Sequence, residues 1–472
     1  MVDGAPEDRS AAHRPAAHDE RARAGAAAES GAVTSGATDP RAAFIEAAIW
    51  HGDLEAADAL LAAHPRLAGN DIHTAAVLGD DAAVRRLLAE DPARATAPSP
   101  PYGGDALNYL ALSKYLRLDS ARTPAFLRAA TALLDAGADP NTGFWTMGPH
   151  PERETALYGA AGVAHHAEMT RLLLARGADP NDGEAVYHSP ETRDNAAMQL
   201  LVETGRVTPE NLSLMLIRKH DWHDYEGAKY LLTHGADANH QRERGWIAIH
   251  HAIARDNALR IIELLLDHGA DPLLRKDGAT AVARAARRGR GDLLALFKRR
   301  GFDATLKDVD GLIAACARDD AAAVRAIAER EPHLVREVVA QGGQLLAEFA
   351  GTWNTEGVRH LLDLGVPVGA PYTGDGYFDI APGSTALHVA AWKGLSATVQ
   401  LLIDRGAAVD ARDAKGRTAL ALAIKACVDS YWTERRNPDT VKALLAAGAS
   451  LDGLRLPSGY AAIDDLLEAA AG

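Results

Sequence analysis

The sequence has few of the residues that build an aromatic core or a disulfide-bonded secreted domain. Only 5% of its 472 residues are aromatic, although 47% are hydrophobic, and its only cysteines are Cys316 and Cys427. Two cysteines are too few for a secreted disulfide framework, so we interpret both as small buried thiols. An apolar content supplied mainly by small and aliphatic residues instead predicts helices that approach one another closely.

Long hydrophobic runs and an excess of positive charge are also missing. No segment approaches the roughly 18 apolar residues of a membrane span, and residues 1–40 lack the apolar core of a secretory signal. The formal net charge is −14, whereas a general binder of nucleic acid or anionic membranes needs a dominant basic surface. We therefore expect a cytoplasmic protein that binds neither nucleic acid nor membranes.

The common catalytic and cofactor-binding motifs are absent as well. The sequence contains no Gly-x-x-x-x-Gly-Lys phosphate loop, no His-Glu-x-x-His, no Gly-x-Ser-x-Gly and no Cys-x-x-Cys. A missing motif does not exclude an enzyme, but no feature of the sequence favours one. We therefore expect no catalytic residues and no cofactor.

The sequence does contain a recurring phrase. Gly-Ala-Asp-Pro-Asn occupies 137–141 and 177–181, Gly-Ala-Asp-Ala-Asn occupies 235–239, and Gly-Ala-Asp-Pro occupies 269–272. Each copy follows a leucine-rich helical run, and a phrase that returns at a nearly constant interval indicates a repeat architecture. Because each unit of such a protein contacts mainly its neighbours, one elongated domain can account for the length of the chain.

The best-preserved unit begins at Gly383 and indicates which repeat this is. It reads Gly-Ser-Thr-Ala-Leu-His-Val-Ala-Ala-Trp-Lys-Gly and continues to the pair Leu401-Leu402. The next unit opens with Thr418-Ala419-Leu420, which is 33 residues after Thr385-Ala386-Leu387. The period, the opening, the double leucine and the Gly-Ala-Asp ending together resemble the ankyrin repeat.

The resemblance implies an all-α solenoid of about twelve helix-turn-helix units with hairpin finger loops. Thr385 stands where a helix N-cap is needed, and Gly406 stands where the second helix of the unit ends. We expect residues 41–472 to form a single solenoid domain. Residues 1–40 are rich in Ala, Gly and charged residues and are expected to form a disordered tail. The frequent use of Ala, and of Arg over Lys, favours a bacterial source.

In this family, partners usually contact the finger tips and the variable positions of the first helices. Alignment of the units places Trp50 and Trp392 in one such position, and aromatic and Arg residues are common at binding hot spots. We therefore predict a concave face that is aromatic at its ends and basic in its C-terminal half. The alternative is that insertions cover both tryptophans and that the basic residues are ordinary surface. Further variable positions hold Tyr109, Arg284, Arg287, Arg288 and Lys393.

Two insertions, at residues 142–154 and 369–383, lengthen their fingers with aromatic residues. Long loops without regular structure are often functional, so we predict that these loops contact a partner. The alternative is that the aromatic side chains fix each loop to the scaffold. The aromatic candidates in the two insertions and in one shorter finger are Phe144, Trp145, Trp246, Tyr372, Tyr377 and Phe378.

Histidine is concentrated in one region, because ten of the 19 histidines lie between His150 and His251. Most of them fit ordinary positions of the repeat, and His220, Asp221 and His223 are the hardest to explain in that way. A metal site needs three or four converging ligands, and we predict none.

We predict a monomeric, non-catalytic scaffold or adaptor that binds a partner protein with an acidic and partly apolar patch. Two alternatives stay open. One is a small-molecule or metal receptor that uses the His-rich region 150–251, and the other is an enzyme with an unrecognised site in the inserted loops.

Overall fold

The computed structural model describes residues 39–241, 246–430 and 435–471. The predicted tail at residues 1–40 lies almost entirely outside the described residues. The described chain divides into two compact units, one within Val33–Asp271 and the other within Pro272–Gly472. The single domain expected for residues 41–472 stays a prediction.

The Val33–Asp271 unit contains seven helix pairs. Each pair has a first helix and a second helix, and the third pair carries an additional short helix, α6. The helices are α1 (Pro40–Ala48), α2 (Leu54–Ala63), α3 (Ile72–Val77), α4 (Asp81–Glu90), α5 (Ala106–Ala111), α6 (Lys114–Leu118), α7 (Thr123–Asp135), α8 (Ala156–Tyr158, continued by a π-helical turn over Gly159–Val163), α9 (Ala167–Ala175), α10 (Gly183–His188), α11 (Ala196–Glu203), α12 (Pro209–Asp221), α13 (Tyr225–Thr233), α14 (Ala248–Ala254) and α15 (Leu259–Asp267). One finger forms a hairpin of β1 (Gly143–Trp145) and β2 (Arg153–Thr155).

The Pro272–Gly472 unit contains five helix pairs, the additional helix α20 and a last helix, α27. Its helices are α16 (Ala281–Arg287), α17 (Gly291–Arg299), α18 (Asp308–Ala317), α19 (Ala321–Arg330), α20 (Pro332–Ala340), α21 (Gly342–Ala350), α22 (Thr355–Asp363), α23 (Ala386–Trp392), α24 (Ser396–Asp404), α25 (Ala419–Asp429), α26 (Pro438–Ala446) and α27 (Ala461–Ala471). A short hairpin, β3 (Arg275–Lys276) with β4 (Ala279–Thr280), opens the unit. The twelve pairs among the described residues confirm the all-α architecture and the predicted number of repeats.

Small residues allow the helices of each pair to approach closely. Ala390 and Ala391 on α23 are completely buried, and α23 packs against α21, α24 and α25. Leu402 on the second helix of the same pair is also completely buried. Alanine loses little side-chain entropy in a helix, so a core of this kind needs few aromatic residues.

The asparagine of the recurring phrase joins neighbouring fingers. Asn141 donates a hydrogen bond from Nδ2 to the Gly177 carbonyl at 3.3 Å, and its Oδ1 accepts from the Asp179 amide at 2.8 Å. Asn239 repeats this arrangement, with the Gly269 carbonyl at 2.7 Å and the Asp271 amide at 2.8 Å. These bonds satisfy backbone groups of the next turn, which gives a physical reason for the phrase Gly-Ala-Asp-x-Asn.

The segment at residues 308–340 departs from the paired pattern because it contains three helices. Helix α18 packs against α16, α19, α20 and α22, and α16 also contacts α21 directly. Asn354, before α22, donates from Nδ2 to the carbonyls of Gly289 and Ala317, both at 2.7 Å. One side chain therefore links three helix pairs at this point.

Candidate functional site

The hairpin finger of the Val33–Asp271 unit places two adjacent aromatic residues in opposite environments. Successive residues of a strand point to opposite faces, and here Phe144 is buried while Trp145 is 61% exposed. Met147, near the tip of the finger, is 94% exposed. The finger therefore offers two large apolar side chains to solvent.

Hydrogen bonds fix the finger to the helices beneath it. The Thr146 amide donates to the Glu152 carbonyl at 2.8 Å, and the Glu152 amide donates to Thr146 Oγ1 at 2.8 Å. At the base, Asn108 Nδ2 donates to the Glu154 carbonyl at 2.9 Å, and Thr142 Oγ1 donates to an Asp105 carboxylate oxygen at 2.7 Å. The two exposed side chains are therefore carried by an ordered scaffold.

An aromatic cluster lies behind the finger and contains Trp50. The rings of Phe144 and Tyr102 are stacked at 4.8 Å, and the Trp50 ring lies edge-on to Phe144 at 5.9 Å. Trp50 Nε1 donates to the Tyr158 hydroxyl at 3.2 Å. The cluster therefore connects the first helix pair to the third and fourth pairs.

A network of charged side chains connects three consecutive first helices, α10, α12 and α14. The guanidinium group of Arg218 pairs with the carboxylates of Glu191 and Asp221 and lies over the Tyr187 ring, 4.1 Å from its centroid. Asp221 also accepts from His251 Nε2 at 2.8 Å and from Arg255 Nε at 2.6 Å.

The pKa values in this network show which groups carry charge. Burial opposes the charge on His188, but Glu191 and Glu184 outweigh this effect and raise the pKa of His188 to about 9. Burial also opposes ionisation of Glu191, yet His188 and Arg218 lower its pKa to about 2. At neutral pH, His188 is therefore a cation between two carboxylates.

Asp221 is ionised for a similar reason. Burial favours its neutral form, but the hydrogen bond from His251 and the guanidinium groups of Arg218 and Arg255 hold the pKa of Asp221 well below its usual value. Burial lowers the pKa of His251, so its neutral ring donates the hydrogen bond. The network balances its own charges.

The network offers no arrangement for metal binding. In the described part of the chain, no group of three or more His, Cys, Asp or Glu side chains is placed to hold a metal ion. His220, one of the residues singled out in the sequence, is completely buried, and burial lowers the pKa of its ring to about 3. Its carbonyl oxygen accepts from Asn257 Nδ2 at 2.8 Å.

The insertion at residues 369–383 in the Pro272–Gly472 unit folds back onto its own helices. Phe378 packs with Val389 and Trp392 of α23 and with Leu422 of α25 in one apolar cluster. Trp392 is only 6% exposed, so the solvent-facing position expected for it is wrong. Its alternative explanation is correct, because the inserted loop covers this tryptophan.

The basic residues of the predicted concave face are paired with partners in the same unit. Arg287 Nε donates to Asp310 at 2.7 Å, and an Arg288 guanidinium nitrogen lies 2.7 Å from a Glu348 carboxylate oxygen. Lys393 is buried, with Nζ 3.1 Å from the centroid of the Phe378 ring. Burial lowers the pKa of Arg284, which is half-buried. The charges of Arg287 and Arg288 are therefore balanced by carboxylates of the same unit, and the basic C-terminal half of the concave face stays a prediction.

The predicted contact residues thus fall into three groups. Trp145 is exposed, whereas Trp50, Trp246, Arg284, Arg287, Arg288 and Tyr377 are partly buried. Direct contact by the remaining side chains would require them to leave the core, because Tyr109, Phe144, Tyr372, Phe378, Trp392 and Lys393 are buried.

The sequence interpretation missed one exposed tryptophan. Trp353 is 80% exposed in the turn between α21 and α22, directly before the N-cap residue Asn354. The equivalent turn before α24 contains Gly394. A large apolar residue in a tight polar turn is the signal that could have identified it.

The stacked helix pairs and the finger loops between them are those of a repeat protein. The comparison with known families leads to the same class. Residues 214–308 and 344–453 each match a family model whose description is "Ankyrin repeats (3 copies)". These two segments of the chain therefore contain ankyrin repeats. The interval between the two matched segments coincides with the three-helix region at 308–340.

Parts of the sequence are similar to three other proteins. The chain is 34% identical to serine/threonine-protein kinase 12 of Arabidopsis thaliana over 137 residues, which is 28% of this chain and 26% of the kinase. It is 40% identical to human 2-5A-dependent ribonuclease over 85 residues, 18% of this chain and 11% of the ribonuclease. It is 42% identical to human Rabankyrin-5 over 67 residues, 14% of this chain and 6% of that protein. The similarity spans about a quarter or less of each relative.

None of the described helices has the length and apolar character needed to cross a bilayer.

Proposed function

We propose that this protein is a non-catalytic scaffold or adaptor and that a partner protein binds the finger of its Val33–Asp271 unit. The observation that carries the proposal is the exposure of Trp145 beside the buried Phe144. The strand pairing presents one aromatic residue outward while the other holds the finger in place. Tryptophan is among the residue types enriched at binding hot spots, and methionine is enriched at interfaces.

The rigidity of the finger supports the same proposal. Because hydrogen bonds at the tip and the base already order the hairpin, little conformational entropy remains to be lost when a partner binds. A partner with an apolar depression could therefore cover Trp145 and Met147 at low cost. Trp50 lies behind the finger and is a further candidate contact because it is only partly buried.

The charged network has a structural role in this proposal. Its carboxylates and cations are paired with one another, and pairing of this kind fixes neighbouring units in one register. The kinase and the ribonuclease are enzymes by name, but the shared segments are small parts of both. Their activities are therefore not assigned to this protein.

We further propose that the protein is monomeric and cytoplasmic. Support for the location comes from the cysteines, which are free and buried. Burial raises the pKa of Cys316 to about 12 and that of Cys427 to about 11, so both stay protonated and unreactive.

Affinity capture from host lysate tests the binding role. The parent protein, the Trp145→Ala/Met147→Ala double variant and a Trp353→Ala control are compared, with thermal unfolding used to establish that all three are folded. The control removes a tryptophan that is even more exposed than Trp145 and lies in the other compact unit. We expect the parent and the control to capture the same partner and the double variant to lose it. Capture by all three proteins would contradict the assignment to the finger, and an empty parent capture would contradict the binding role.

A further inference from the structure

The tip of the loop at residues 369–383 occupies a groove like a ligand. The groove lies over α23 and α25, and the tip inserts Phe378 and Asp379 into it. Backbone hydrogen bonds close the loop into a hairpin: the Tyr372 amide donates to the Ser384 carbonyl at 2.7 Å, and the Asp375 amide donates to the Ile380 carbonyl at 2.8 Å. Phe378 and Asp379 are therefore displayed at the end of a tether rather than on a repeat helix.

The groove holds the Phe378 ring between cations. Lys393 Nζ lies 3.1 Å from the ring centroid, and the Arg435 guanidinium carbon lies 5.0 Å from it. Lys425 Nζ lies 5.6 Å from the centroid of the Trp392 ring, which forms part of the floor. Cations placed over an aromatic face are attracted by the negative potential that the ring quadrupole creates there, so these contacts select an aromatic side chain.

The next residue adds a carboxylate that three cations share. Asp379 accepts from Lys415 Nζ and Lys425 Nζ, both at 2.5 Å, and from Arg417 Nη1 at 3.0 Å. Burial favours the neutral acid, but Lys415 and Lys425 hold the pKa of Asp379 well below its usual value. The cations come from residues outside the loop, so removal of the loop tip would expose a positively charged, aromatic-lined groove.

We propose that this groove recognises an aromatic-acidic segment of a partner protein, and that Phe378-Asp379 occupies it in cis until such a segment displaces it. The match in chemistry supports this occupant, because the groove holds its own aromatic residue and carboxylate by cation–π contacts and ion pairs. The inference rests on the protein-binding function but uses a surface separate from the finger at Trp145.

The ion pairs that hold the loop tip are suited to exchange. Lys415 is 54% exposed and Lys425 is 33% exposed, and ion pairs in contact with water contribute little to stability. A tethered ligand nevertheless competes at an effective concentration that is typically millimolar. Segments added in trans should therefore bind the parent weakly and bind a variant with an altered tip more tightly.

A peptide taken from the protein itself provides the probe. The peptide corresponds to residues 374–382 and carries a fluorophore, and its binding to the full-length parent and to the Phe378→Ala/Asp379→Asn variant is measured by anisotropy. We expect the variant to bind at least about tenfold more tightly than the parent because the internal competitor is removed. Peptides with Asp379→Asn or Phe378→Ala should each bind the variant at least about tenfold more weakly. Equal or absent binding to the parent and the folded variant would overturn the proposal, as would equal binding of all three peptides.

A variant of the groove and a hydrogen-exchange measurement complete the test. The substitutions Lys415→Gln and Lys425→Gln change the groove and leave the loop tip unaltered. A protein that carries both of them together with Asp379→Asn should no longer bind the peptide. If the Phe378→Ala/Asp379→Asn variant does not fold, Asp379→Asn replaces it, and hydrogen exchange of the parent loop is measured with excess peptide. Faster exchange at residues 377–380 is expected, and unchanged exchange would overturn the proposal. The Trp145→Ala/Met147→Ala variant should bind the peptide as its parent does. The proposal for the finger and the proposal for the groove can therefore be refuted independently.

Discussion

The finger at residues 142–154 and the loop at residues 369–383 are both insertions with glycine and aromatic residues, yet the finger exposes one of its aromatic side chains whereas the loop buries most of its own. The finger exposes Trp145 and buries only Phe144, whereas the loop buries Tyr372 and Phe378. The difference shows that aromatic content in an inserted loop does not by itself indicate a binding surface. In the finger, the strand register determines that Trp145 is exposed and Phe144 is buried. In the loop, the apolar surface beneath it determines that Phe378 is buried.

The two units also differ in the side chains that join their first helices. Charged side chains connect the first helices α10, α12 and α14 in the Val33–Asp271 unit. Aliphatic and aromatic residues of α23 and α25 form the floor in the Pro272–Gly472 unit, with the cations around Asp379 at its edge. A buried aromatic residue needs an apolar surface beneath it, and both insertions have one: Phe144 contacts the rings of Trp50 and Tyr102, and Phe378 contacts residues of α23 and α25.

The largest effect is expected when the charged network between α10, α12 and α14 is broken. Arg218→Met leaves Glu191 and Asp221 without their shared cation and should lower the free energy of unfolding by about 3–5 kcal/mol. The matched control is Arg128→Met, since Arg128 pairs with Asp81 at 2.8 Å but is 55% exposed, and it should cost less than about 1 kcal/mol. Urea denaturation measures both values, and similar values would show that burial of the network is unimportant.

The second prediction separates the two adjacent residues of the finger. Phe144→Ala removes a ring from the aromatic cluster and leaves a cavity, so it should lower the free energy of unfolding by about 3 kcal/mol. Trp145→Ala should change it by less than about 0.5 kcal/mol because the side chain is largely exposed. Thermal and urea unfolding provide the measurement, and a reversed order would mean that the hairpin register is wrong.

The third prediction concerns the pH dependence of the charged network between α10, α12 and α14. The pKa of His188 is raised from its ordinary value of 6.5 to about 9 in the folded protein. The stability that its charge provides is therefore complete below the unfolded pKa and is lost as the pH rises through about 9. Between pH 7 and 9 the parent should lose about 2 kcal/mol more than His188→Gln. Parallel pH profiles of the two proteins would contradict the charged state assigned to His188.

The smallest effect, apart from the control substitutions, is expected at the loop of residues 369–383. Phe378→Ala should cost about 1–2 kcal/mol, less than Phe144→Ala, because the loop tip can rearrange after the ring is lost and leave no cavity. A loss as large as that of Phe144→Ala would show that the loop tip is a fixed part of the core. Urea denaturation of the two variants under the same conditions makes the comparison.

The fold could be predicted because each part of the repeat has a local physical function. Thr418 caps α25 through its hydroxyl, Asn141 and Asn239 join successive fingers, and small residues such as Ala390 allow close helix packing. These functions depend on spacing within one unit or between neighbours. A single sequence therefore contains enough information to identify the repeats.

The exposure of the candidate residues could not be predicted in the same way. Trp392 is covered by a loop that precedes its helix, and Arg288 pairs with Glu348, 60 positions later in the chain. Trp50 lies in the turn after α1, with a left-handed φ of 48°, rather than on the first helix where alignment placed it. Each of these outcomes depends on contacts between distant segments.

Hydrogen exchange of the full-length protein, with and without its captured partner, tests the central claim most directly. If the finger is the binding surface, amides of residues 143–155 should become protected in the complex, and protection should be absent with the Trp145→Ala/Met147→Ala variant. Protection confined to other segments, with unchanged exchange in the finger, would contradict the account.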